Sequence, residues 1–152
     1  MKKALLAVTA LILSAAAAAP APAALRGDAA SVEADRVHMN GVIRATPGAG
    51  YSVQEISTPE GAVVREYLSP DGKVFAFSWH GTQRPDLPQL LGAARYTEFM
   101  KAATRVRQPD RRHASVQLPE FVVYTAVRMG HFYGRAWAPD LVPTGVSTDE
   151  IK

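Results

Sequence analysis

The chain contains no cysteine. That excludes disulfides, a thiol nucleophile and the lipid-modified cysteine of a bacterial lipoprotein. It has only four histidines, His38, His80, His113 and His131, and no two are four residues apart. The spacing that puts two metal ligands on one helix face is therefore missing, and neither metal nor cofactor is expected. There is no Gly-x-Ser-x-Gly elbow for an exposed serine nucleophile. No period of 20–50 residues recurs, so the chain is not a repeat array. A strong excess of one charge is also lacking. Lys and Arg total 17 against 14 Asp and Glu, a net +3. Without Lys2 and Lys3 the balance is 15 against 14, or +1. A nucleic-acid partner is not expected from so small an excess.

What the chain does have begins with an address. Met1-Lys2-Lys3 is followed by an Ala- and Leu-rich apolar run over residues 4–18, then Ala21-Pro22-Ala23. This is the pattern of a secretory signal peptide cleaved after Ala23. The alternative is an uncleaved anchor. A spanning helix needs about 20 apolar residues, however, and Pro20 and Pro22 interrupt this run. The expected location is the periplasm or the exterior, with residues 24–152 forming one domain.

The mature chain is organised around residues 51–79, where one turn grammar occurs twice: Thr58-Pro59-Glu60-Gly61 and Ser69-Pro70-Asp71-Gly72. Proline presets φ for a type I turn, and glycine accepts the left-handed conformation of the bulge that follows. The stretch reads as a three-stranded meander. Its first hairpin sets Val53 opposite Tyr67 and Glu55 opposite Arg65. Its second sets Tyr67 opposite Phe75, Arg65 opposite Phe77 and Val63 opposite Trp79. One face then carries Val53, Val63, Tyr67, Phe75, Phe77 and Trp79 and is the expected core. Gln54, Ile56, Val64, Glu66, Leu68, Val74, Ala76 and Ser78 fall on the other.

Residues 29–39 suit a short helix at the domain edge, capped by Asp28 or Ser31 and stopped by Asn40-Gly41. Residues 47–50 form a glycine loop that precedes a strand rather than opening a helix, so a phosphate cradle does not fit. Asp86 and Pro88 mark the start of the main helix, residues 87–103, weakened at Gly92 and packed on the aromatic face. Residues 105–113 hold four arginines, a solvated connection or an anion contact. Residues 115–118 suggest a strand. Residues 121–129 and 132–138 suggest a hairpin about Gly130-His131, with Met129 opposite Phe132 and Val127 opposite Gly134. The expected fold is α+β: an antiparallel sheet of five to six strands with one main helix on one face.

Chemistry is sparse. Glu55, Glu60, Glu66 and Asp71 fall at exposed hairpin or turn positions. His80 follows Trp79 at a strand end and is the one acid–base candidate. The more suggestive pattern is Tyr124, Arg128, Tyr133, Arg135 and Trp137 on one face of the second hairpin. Aromatics interleaved with arginines suit an envelope protein or an anionic glycan, unless the N-terminal helix or the tail covers them. The residues thus favour a non-enzymatic binding or accessory module. The alternative is a small envelope-directed hydrolase using His80.

Four blocks carry a family likeness. They are Leu25-Arg26-Gly27 with Ser31-Val32-Glu33-Ala34-Asp35; Val64-Arg65-Glu66-Tyr67 with Ser69-Pro70-Asp71-Gly72-Lys73-Val74-Phe75-Ala76; Pro85-Asp86-Leu87 with Leu90-Leu91-Gly92; and Gly134-Arg135-Ala136 with Pro139, Leu141, Pro143 and Gly145-Val146. Together they resemble domain-of-unknown-function family 2844, small exported proteins of Gram-negative bacteria. The resemblance spans the mature chain and implies no catalytic residue, cofactor or substrate.

Overall fold

The computed structural model describes residues 24–105 and 112–152. Seven antiparallel strands form one sheet: β1 (Val42–Pro47), β2 (Ser52–Ser57), β3 (Ala62–Leu68), β4 (Val74–Gly81), β5 (His113–Gln117), β6 (Val122–Arg128) and β7 (His131–Trp137). Their order is β1-β2-β3-β4-β7-β6-β5. The α+β class holds, with more strands than the expected five or six. The unanticipated strand is β1, an exposed edge with little apolar pattern to betray it. It pairs Ile43 with Ile56 and Pro47 with Ser52. Its terminal proline suits an edge, where a missing N–H does least harm.

Both Pro-x-Gly corners form as their residues dictate. The Gly61 N–H donates to the Thr58 carbonyl (3.1 Å), and the Gly72 N–H to that of Ser69 (2.8 Å). Gly61 and Gly72 have φ of 84° and 78°, the left-handed region that glycine enters without penalty. In the first hairpin Val53 faces Tyr67 and Glu55 faces Arg65, as anticipated. In the second the register shifts immediately past the turn: Leu68 faces Val74, but Tyr67 faces Ala76. Phe75 is the extra residue of a β-bulge. The anticipated partners Phe75, Phe77 and Trp79 are therefore replaced by Ala76 for Tyr67, Ser78 for Arg65 and His80 for Val63.

That single residue divides the rings between the two faces. Phe77 and Trp79 join Ile56, Val64, Leu68 and Val74 in the larger core, with their rings stacked 5.7 Å apart. Phe75 turns to the opposite face and joins Tyr67, Ala76 and Ile151. The expectation of one aromatic face under one helix is thus corrected: β3 and β4 are buried on both sides.

Three helices cover the larger core, rather than one. Helix α1 (Ala29–His38) starts with Asp28 and Ser31 capping each other's backbone. It is not a marginal edge helix, because Ser31, Val32 and Asp35 are fully buried. The anticipated long helix is two: α2 (Leu87–Leu91) and α3 (Ala93–Arg105). Gly92 separates them at φ 82° and ψ 146°, outside any helical conformation. Asp86 caps α2 by accepting from the Gln89 N–H. Leu87, Leu90 and Leu91 then point into the core.

The second hairpin turns at Met129-Gly130, both with positive φ (51° and 78°) as a type I′ turn requires. The pairs are Arg128 with His131, Val127 with Phe132 and Thr125 with Gly134. They replace Met129 with Phe132 and Val127 with Gly134, a shift of two residues. An even shift leaves the paired side chains on their expected faces, but Met129, expected on the core face, is a turn residue and exposed. Gly134 has a packing role: a Cβ there would overlap the Trp79 indole. The smaller core is closed by the C-terminal tail. Ile151 is buried, and the main-chain oxygen of Lys152 accepts from Ser78 Oγ (2.7 Å), Arg65 Nη1 (2.9 Å) and the Tyr67 hydroxyl (3.0 Å).

Candidate functional site

Tyr124, Arg128, Tyr133, Arg135 and Trp137 lie on one face of β6 and β7, with Tyr124 paired to Arg135 across the ladder. The tail divides them. Arg135 donates to the Thr148 carbonyl (2.9 Å) and lies over the Trp137 ring at 5.4 Å. Trp137 packs against the smaller core. Tyr124, Arg128 and Tyr133 stay open, the two tyrosines 36% and 40% exposed. Two histidines extend the open part. The His113 ring is 6.3 Å from Tyr124, and the His131 ring is 6.3 Å from Tyr133. Sequence reading missed both, because one was assigned to a connection and the other to a turn. Of the basic segment, residues 106–111 lie outside the described residues.

His80 sits on the same face, between Val63 and Tyr133 on its two neighbouring strands. Partial burial and the Arg65 charge hold its pKa below the ordinary histidine value, against a smaller opposing pull from Glu55. Among the described residues no hydrogen bond joins it to a carboxylate. Glu55 is taken by Arg65, whose Nε donates at 2.8 Å. No group of three or more His, Asp or Glu side chains converges as a metal site among the described residues.

The strongest electrostatic feature lies on the helix side. Glu66 is not at an exposed hairpin position, as anticipated; it is fully buried. The alternation of β3 places it between Val64 and Leu68, opposite Phe77. The fully buried Asp35 of α1 meets it there. Asp35 Oδ1 accepts from Gln89 Nε2 of α2 (2.7 Å). No Lys or Arg side chain among the described residues is paired with either carboxyl. Loss of hydration in the core, then the neighbouring Asp35 charge, raises Glu66 to about 9. Desolvation raises Asp35 to about 6, against the hydrogen bond from Gln89. At neutral pH the Glu66 carboxyl therefore keeps its proton beside Asp35, and both Glu66 oxygens and Asp35 Oδ2 are buried without a hydrogen-bond partner among the described residues. Toward the surface His38 Nε2 lies 3.0 Å from Asp86 Oδ2. Both act electrostatically on Asp35. The apolar residues two before and two after Glu66 were the sequence signal for this pair.

An antiparallel α+β sheet with helices on one face and an ordered tail on the other defines the class. The chain belongs to a family described as protein of unknown function (DUF2844), whose model matches residues 21–151. Neither a curated protein nor a solved structure matches it.

Proposed function

We propose that this is an exported, non-enzymatic binding module that holds an anionic glycan of the cell envelope on the open part of the β6–β7 face. The observation that carries the reading is the exposure of Tyr124, Arg128 and Tyr133 side by side, where the tail stops covering the sheet. Tyrosine rings offer flat faces on which sugar rings stack, at little conformational cost. Arg128 supplies a fixed positive charge for a carboxylate or phosphate. The signal-peptide pattern at the N-terminus supplies the route to the envelope.

The test is retention on immobilised polygalacturonate, with neutral dextran as control. The protein should be retained on the first and not the second, with elution at moderate salt because exposed charges are screened. Combining Tyr124→Ala with Tyr133→Ala should weaken retention at least about tenfold with little change in Tm, since both rings lie outside the core. Retention unchanged by the pair of substitutions overturns the reading.

A further inference from the structure

The opposite face of the same hairpin carries a second, unrelated feature. Between α3 and the helix-side faces of β4, β6 and β7 lies a cavity of about 260 Å³. Trp79 and Phe132 form its floor, and Phe99 and Met100 lie on the α3 side. Two hydroxyls, those of Tyr96 and Thr125, belong to residues lining it. Neither forms a hydrogen bond among the described residues. Arg84 stands at the rim with its guanidinium 5.1 Å from the centre of the Phe132 ring. Arg84 makes no ion pair among the described residues.

An apolar chamber with a few polar groups and one charge at its edge is the usual make-up of a small-ligand site. Three properties narrow the occupant. The volume equals eight or nine groups of roughly 30 Å³, about the share of a water molecule in the liquid. It therefore suits a short chain. The apolar floor favours hydrocarbon. The lone guanidinium matches one carboxylate, which it can grip through two parallel N–H donors; a doubly charged phosphate would remain half neutralised.

We propose that this cavity binds a small monocarboxylate with an apolar tail, the tail between Trp79 and Met100 and the carboxylate on Arg84. Tyr133 borders both linings, but this reading rests on Arg84 and Trp79, neither of which the glycan reading invokes.

The chain has two tryptophans, and Trp137 lies on the far face. A Trp137→Phe protein therefore reports Trp79 alone. Octanoate, titrated below its micelle concentration, should change the Trp79 emission saturably. Arg84→Glu in the same background should raise the octanoate Kd at least tenfold. Octylammonium should bind more weakly than octanoate to the protein with Arg84, and the order should reverse with Arg84→Glu. Absence of a saturable response, or equal octanoate affinity with and without Arg84, overturns the proposal. Should Trp137→Phe fail to fold, amide NMR of the unaltered protein gives the same decision. Octanoate-dependent shifts at Thr125 and Val127 support the site, and their absence rejects it.

Discussion

On one side of the sheet three helices lay leucines and a phenylalanine over Phe77, Trp79 and Val64. On the other, a tail with only two single turns of 3-10 helix (Pro139–Leu141 and Thr148–Glu150) covers Tyr67, Phe75 and Trp137. The first side is closed by apolar area and hides the Asp35–Glu66 pair. The second is closed by Ile151, with Leu141, Val142 and Val146 packed around it, and by side chains that grip backbone oxygens. The difference teaches that a strand buried on both faces need not have equal partners. Regular elements can supply one lid, and polar side chains capturing an irregular segment can supply the other.

The comparison is broken most severely by Phe77→Ala, which empties the centre of the helix side. A loss of about 3–5 kcal/mol is expected from chemical denaturation. Ile151→Ala tests the tail side and should cost less, about 2 kcal/mol, because the tail can settle into the space left. A larger loss at Ile151 than at Phe77 would show that the tail is the principal lid.

The smallest effect has the opposite sign. Both carboxyls of the buried pair have raised folded-state pKa values. Their contribution to stability is thus complete below the ordinary carboxylate range. It is lost as pH rises through about 6 for Asp35 and about 9 for Glu66. His80, held low, changes stability in the other direction at acid pH, so the pair is isolated by difference. Glu66→Gln keeps the shape of the side chain and removes its ability to ionise. It should raise Tm by about 4 °C at pH 8, on the order of 1 kcal/mol, and by nothing at pH 4.5. Equal effects at the two pH values would show that ionisation of Glu66 does not oppose folding.

Much of this arrangement was legible in the residues. Each proline–glycine corner named its own turn, the first hairpin followed in register, and Asp28 and Asp86 announced their helices. The two register errors had unequal consequences. At the second hairpin the error was two residues, so Tyr124, Arg128, Tyr133, Arg135 and Trp137 still emerged on one face. At β3–β4 it was one residue, so Phe75 was assigned beside Phe77 and Glu66 was assigned to solvent. A bulge leaves no mark in a run such as Val74-Phe75-Ala76-Phe77, in which every side chain tolerates burial. The seating of the tail was hidden for a different reason: it depends on the Lys152 backbone, and no side-chain pattern encodes a captured carbonyl.

The bare backbone at Gly134 has a consequence for how the molecule can vary. Because the Trp79 indole rests where that residue's side chain would be, the sheet and the chamber beneath α3 share one wall. Adding a single methyl group there would require the indole to find another seat, changing the chamber's shape from the inside without altering any residue at its opening.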